Sequence, residues 1–155
     1  MHPQIAIGGF IVVSLIGGIL GGLAMEAVLR LISRAEWARC DMIVALGSLL
    51  TKSRENAFRT GAIVHLVSAV VFAFLYCFAI VKFGLAYFPA AFFAGLGIGL
   101  IHGFIVSLAL GWVVAEQHPL EEFREASLAV CVAHLAAHAA YGAVVGLTIA
   151  LSGVL

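Results

Sequence analysis

The sequence predicts an all-α protein, a bundle of four transmembrane helices with a short interfacial helix in the first loop. Hydrophobic residues make up 64% of the 155 residues, charged residues make up 10%, and the mean hydropathy is +1.18. These values lie far outside the range of soluble globular domains. The net formal charge of zero gives no reason to expect binding to nucleic acid. We therefore expect a single membrane domain over residues 1–155, surrounded by a lipid bilayer.

Four segments are apolar enough to cross a membrane. A spanning helix needs about 20 apolar residues, and residues 5–25, 62–81, 90–114 and 127–151 meet this requirement. No basic stretch precedes the first segment, so we interpret it as a membrane helix and not as a cleaved signal peptide. The apolar run over residues 42–50 is too short to span the bilayer, and it predicts a helix lying in the membrane interface.

The basic residues predict the orientation of the chain. Six of them lie between the first and second apolar segments, whereas the loop between the second and third segments holds only Lys82. Because Lys and Arg concentrate in cytoplasmic loops, we expect the first loop in the cytosol and both termini on the outside. The six basic residues are Arg30, Arg34, Arg39, Lys52, Arg54 and Arg59.

Two histidines stand four residues apart in the fourth apolar segment. At this spacing His134 and His138 share one face of a helix, and Tyr141 continues the same stripe. An ionisable side chain in hydrocarbon is costly unless it is paired or ligated, so such residues indicate a functional site. A neutral histidine that bonds to a neighbouring helix is the structural alternative.

Other histidines fall at related depths in the membrane. Counting 1.5 Å per residue from the predicted cytosolic helix ends places four of them about 8 to 20 Å deep, on three different helices. Neutral imidazole is the commonest protein ligand for copper, iron and zinc. The sequence therefore predicts a transition-metal site near the cytosolic leaflet, used for metal handling or redox support in a membrane complex. The candidate ligands are His65, His102, His138, His118, His134 and Glu116.

Three further residues are expected to surround the ligands without binding the metal: Asp41, Tyr141 and Glu26. Two of them also have plain structural interpretations. Asp41 directly precedes the short apolar run and can cap a helix there. Glu26 stands four residues before Arg30 and can form an ion pair on a solvated helix face.

Several alternatives to a metal site stay open. Haem b is one, since His65 with His134, or His102 with His138, could supply two axial imidazoles. The chain could instead be a structural accessory subunit of a larger membrane complex, or a homo-oligomer, with histidines that only bond neighbouring helices. A small proton- or ion-coupled transporter is the third alternative. No catalytic residue and no reaction can be assigned.

Glycines predict close helix packing. Small residues four positions apart let the backbone of another helix approach closely. This spacing occurs in the first segment and again in the third, but it does not indicate which helix is met. The packing glycines are Gly18, Gly22, Gly95, Gly99 and Gly103.

Several short motifs are spread over the chain from Asp41 onward. They are Asp41 with Leu46-Gly47-Ser48, His65-Leu66-Val67 with Phe72 and Tyr76, Gly99-Leu100-Ile101-His102-Gly103, His118-Pro119, and His138-Ala139-Ala140-Tyr141-Gly142 with Gly146. These motifs resemble those of a family of small four-helix bacterial integral membrane proteins, defined as a domain of unknown function. The resemblance implies a bacterial inner (cytoplasmic) membrane, and it implies that His65, His102, His118 and His138 matter more than His134. The chain departs from the family at Ala137, where glycine is common.

Overall fold

The chain folds into helices joined by short loops. In the computed structural model the described residues are 7–110, 112, 115–124, 127–153 and 155. No β-strand occurs among them, so the all-α prediction is confirmed for this part of the chain. In chain order the elements are α1 (Ile7–Arg34), α2 (Met42–Thr51), α3 (Ala57–Lys82), α4 (Ala90–Ala109), α5 (Ala115–Gln117), a 3₁₀ turn (Glu121–Phe123) and α6 (Leu128–Ser152).

Four of these helices, α1, α3, α4 and α6, are long and apolar enough to cross a membrane. They contain 20 to 28 residues, which corresponds to about 30 to 42 Å of helix against a hydrocarbon thickness of about 30 Å. Large apolar side chains cover their outer surfaces, as shown by Ile63, Ile101 and Phe104, which are 58% to 65% exposed. Such a surface is unsuited to water and indicates a multi-pass membrane protein in contact with lipid.

The helix bounds extend beyond the predicted ones where apolar packing continues outside the most hydrophobic stretch. α1 runs to Arg34 because Leu29 stays fully buried and Glu26 pairs with Arg30 at 2.7 Å. α3 begins at Ala57, which is also fully buried, and not at residue 62. α4 ends at Ala109. Parts of two predicted segments, residues 5, 6, 111, 113 and 114, lie outside the described residues.

The short helix α2 forms where the apolar run predicts it. The Asp41 carboxylate accepts a hydrogen bond from the backbone N–H of Val44 at 3.3 Å, which caps the first turn. α2 packs on α3 through two glycines that the sequence did not single out. A Cβ on Gly47 would overlap the Ala57 carbonyl, and one on Gly61 would overlap the backbone of α2. The two helices therefore touch backbone to backbone.

The long helices form an incomplete ring. α4 packs along α6, α6 along α1, and α1 along α3, whereas α3 and α4 meet at only a few positions. The gap between α3 and α4 leaves room for an internal cavity, and α2 lies against α3 beside it.

Glycines allow the closest helix contacts in this ring. A Cβ on Gly95 or Gly99 would overlap carbonyl oxygens of α6, and one on Gly103 would lie 2.7 Å from the Cβ of His138. In α1, a Cβ on Gly18 would lie 2.7 Å from the Cα of Val70. The structure thus supplies the partners that the glycine spacing alone does not identify: α6 for α4, and α3 for this face of α1.

Candidate histidine-lined site

The gap between α3 and α4 contains a cavity of about 260 Å³. Four imidazoles line it: His65 from α3, His102 from α4, and His134 and His138 from α6. The rest of its wall is mainly apolar and includes residues of α1 and α2. The structure therefore brings together four of the histidines that depth counting placed in one half of the membrane.

His138 is the central member of this histidine cluster. Its ring centroid lies 4.8 Å from that of His102, in an edge-on contact, and 6.5 Å from that of His134. His65 lines the same cavity. Two positive charges on neighbouring rings would repel each other, and the cavity-lining residues that the structure describes include no carboxylate to balance them.

The hydrogen bond of His138 determines which of its nitrogens can bind a ligand. Its Nδ1–H donates to the main-chain carbonyl of His134 at 2.8 Å, because a carbonyl can only accept. In the neutral ring Nε2 then carries the lone pair. Metal-binding histidines commonly use one ring N–H in this way, which orients the ring and leaves the other nitrogen for the metal.

The ring of His102 is held by two aromatic residues of α3. Its Nδ1 lies 3.1 Å from the Tyr76 hydroxyl, and its ring centroid lies 4.2 Å from that of Phe72. When Nδ1–H donates to the hydroxyl oxygen, Nε2 again carries the lone pair. Tyr76 was not predicted as a site residue, since its role depends on α3 and α4 facing each other across the gap.

Two buried imidazole nitrogens have no hydrogen-bond partner among the described residues: Nε2 of His65 and Nδ1 of His134. A buried polar atom without a partner costs about 1 to 3 kcal/mol. Gly22 of α1 leaves room beside the first of them, since a Cβ there would lie 3.9 Å from Nε2. Both residues line the cavity, so a bound ligand could supply the missing partners.

Tyr141 and two methionines also line the cavity and carry oxygen or sulfur atoms. The Tyr141 hydroxyl donates to the Ala69 carbonyl at 2.6 Å and so links α6 to α3. Met25 of α1 and Met42 of α2 also line the cavity. Neither methionine was predicted from the sequence. Their only sequence signal is that they are the sole methionines after Met1.

The remaining predicted site residues lie elsewhere. His118 is 1% exposed, and its Nε2–H donates to the Ala45 carbonyl at 3.0 Å while Nδ1 accepts from the Leu120 N–H at 3.1 Å. Both ring nitrogens are therefore used, and His118 fastens the segment before the 3₁₀ turn to α2. Glu116 is exposed on α5. Asp41 caps α2 and Glu26 pairs with Arg30, as their structural interpretations expected.

The comparisons with known proteins do not assign a function to the chain. No family model, curated protein or solved structure matches the chain. The resemblance to a bacterial membrane-protein family therefore stays a prediction, and function has to be argued from the cavity.

His102 and His138 leave no space for a haem between them, and the described residues form no ready-made metal site. His102 and His138 touch each other, so a porphyrin ring fits between them only if they separate. Among the described residues, no three side chains of His, Cys, Asp or Glu already surround a common point. A metal ion bound here would thus need the imidazoles to rotate, or would draw on the thioethers of Met25 and Met42 as well.

Proposed function

We propose that the histidine cluster binds a single transition-metal ion, and that the protein handles this metal or supports redox chemistry in a membrane complex. The observation that carries the proposal is the pair of buried, unpartnered nitrogens of His65 and His134 in a cavity lined by four imidazoles. Structural histidines that only bonded neighbouring helices would use these nitrogens. A metal ion would satisfy both nitrogens by accepting their lone pairs.

Among the candidate metals, the wall favours copper in its reduced state. Imidazole suits zinc, iron and copper alike, whereas thioether sulfur selects Cu(I). Met25, which is 5% exposed, and Met42 line the same cavity as the four imidazoles. A singly charged soft ion also loses less hydration energy than a divalent one on entering an apolar cavity. If zinc or iron is bound in place of copper, the proposal of a metal site still holds, but the metal serves a different purpose.

The substitutions that test the site are single alanine changes at His65, His102 and His138. Each substitution should lower the amount of copper bound by the purified protein. The reason is that each removes an imidazole that binds the metal or that holds a metal-binding imidazole in place. Binding should weaken as the pH falls, since protons compete for the same imidazole nitrogens. His134→Ala should lower the bound copper as well, because the unpartnered Nδ1 of His134 is one of the two nitrogens that carry the proposal; a smaller effect than at His138 would fit the family resemblance, and no effect would contradict the proposal.

Two matched controls separate metal binding from folding. His118→Gln changes a histidine whose ring nitrogens are both bonded to main chain, so the copper content should stay at the wild-type level. Met25→Leu keeps the apolar volume but removes a soft donor, so it should weaken Cu(I) binding and leave Zn(II) binding unchanged. Equal loss of both metals in Met25→Leu would contradict the copper assignment. Unchanged copper in all the cavity variants would favour the accessory-subunit alternative.

We also propose that the site faces the cytosol of a bacterial cell, at the inner membrane. The supporting argument is the concentration of basic residues around α2, next to the cavity. A single cysteine introduced at the exposed Lys52 should react with an impermeant maleimide only after the cells are opened. If the cysteine of Lys52→Cys is labelled in intact cells, the first loop lies outside and both termini lie in the cytosol, which contradicts the proposed orientation.

A further inference from the structure

A second cavity, of about 550 Å³ and with both charged and apolar walls, lies where the end of α1, the α1–α2 connection and the start of α3 come together. Four arginines contribute to its wall: Arg30, Arg34, Arg39 and Arg54. They come from three separate parts of the chain, so their convergence is a product of the fold and not of a local basic run.

The acidic side chains in this cavity neutralise only part of that charge. Glu26 pairs with Arg30 at 2.7 Å, and Glu122 pairs with Arg54. The third acid, Asp41, is bonded to the first turn of α2. Among the described residues, Arg34 and Arg39 take part in no ion pair. Two of the arginines that line the cavity thus have no carboxylate partner in the part of the chain that the structure describes.

The position of α1 in the bilayer indicates which anions these arginines meet. From residue 7 to residue 25 the helix is free of charge and rises about 28 Å, close to the hydrocarbon thickness of about 30 Å. Arg30 then lies about 7 Å beyond the hydrocarbon edge, within the headgroup layer, and Arg34 about 13 Å beyond it. From there the long side chain of Arg34 can reach back to the level of the phosphates.

The wall of the cavity also has apolar parts that suit a lipid more than a free ion. Phe58 at the start of α3 is 57% exposed, and Phe123 and Ile43 line the cavity near the arginines. A free phosphate would contact only the guanidinium groups. The glycerol and upper acyl chain of a phospholipid could also pack against these three apolar side chains.

We propose that this arginine-lined cavity binds the phosphate headgroup of an anionic phospholipid, with Arg34 and Arg39 donating to its oxygens. Guanidinium groups bind phosphate through paired, charge-assisted hydrogen bonds. Basic pockets beside membrane helices on the cytoplasmic side recognise anionic headgroups on the same principle. The inference rests on the placement of the long helices in a membrane and is independent of the metal site.

The test is native mass spectrometry of the purified full-length chain in detergent, titrated separately with phosphatidylglycerol and phosphatidylcholine. We expect retained phosphatidylglycerol and little retained phosphatidylcholine. The double variant Arg34→Gln/Arg39→Gln should weaken phosphatidylglycerol retention by roughly tenfold or more, the loss expected for charge-assisted hydrogen bonds. Arg59→Gln is the matched control, because Arg59 is exposed on α3 and does not line the cavity. It should retain phosphatidylglycerol as the wild type does.

Three results would overturn the proposal: equal retention of both lipids, an unchanged affinity in the double variant, or an equal loss in Arg59→Gln. Competition with inorganic phosphate distinguishes the two sources of the anion. Displacement of the lipid at phosphate concentrations as low as those of the lipid would show a free-anion site and contradict headgroup recognition. Because none of these readouts involves metal, the lipid and metal proposals can fail separately.

Discussion

Replacing Gly99 by alanine should separate α4 from α6. In the structure a Cβ at this position would overlap the carbonyl oxygen of His138 and lie 3.2 Å from the Cα of Gly142. Both are main-chain atoms that cannot rotate away, so the helices must move apart along the contact. Overpacking of this kind costs about 1 to 3 kcal/mol. Because the displaced carbonyl belongs to His138, Gly99→Ala should also weaken metal binding at the histidine cluster.

Gly97 on the same helix is the matched control for this substitution. A Cβ there would meet nothing within 4 Å. Both alanine substitutions raise helix propensity by a similar amount, about 1 kcal/mol, so the difference between them isolates the clash. Unfolding of both variants in mixed detergent micelles should show Gly99→Ala less stable than Gly97→Ala by about 1 to 3 kcal/mol. Equal stabilities would refute the close approach of α4 and α6 at this point.

Substitutions at two positions and one labelling experiment test individual parts of the fold. Tyr141→Phe removes the hydrogen bond to the Ala69 carbonyl and should lower the free energy of unfolding by about 0.5 to 1.5 kcal/mol; an unchanged stability would show that this bond does not join α6 to α3. Asp41→Ala removes the cap on the Val44 N–H and should cost about 0.5 to 2 kcal/mol, whereas Asp41→Asn should be milder; equal losses would contradict the capping role. Burial raises the pKa of the Cys40 thiol, so less thiolate is present at neutral pH. Alkylation of Cys40 should therefore be slower than that of free cysteine and should accelerate only at higher pH; a rate equal to that of free cysteine at neutral pH would contradict its burial.

Hydropathy predicts the long helices well because contact with lipid requires apolar side chains along the whole spanning segment. It underestimates α1 and α3, where helix continues outside the apolar stretch through burial of Leu29 and Ala57. The cap on α2 could be predicted from Asp41, since N-capping depends on adjacent residues alone. The contact of Gly47 with Gly61 could not, because it joins two helices whose relative position the sequence does not specify.

The histidine cluster was predictable in depth but not in direction. The rise per residue places imidazoles of different helices at one level, whereas the rotation of each helix decides which of them face inward. His118 is a different case, because it lies in the loop after α5, outside the long helices, where its ring is bonded to the backbone of α2. The partnership of Tyr76 with His102 and the presence of Met25 in the wall likewise depend on which helices are neighbours.

We propose that the histidine cluster holds copper, and the decisive measurement is the metal content of the purified protein. Wild-type protein purified from its native membranes under reducing conditions, without added metal, should contain one copper per chain and show no haem absorption. Metal analysis and an absorption spectrum of the same sample give both answers. A folded preparation that contains neither metal nor haem would contradict metal binding at the histidine cluster. A haem spectrum would contradict the copper assignment.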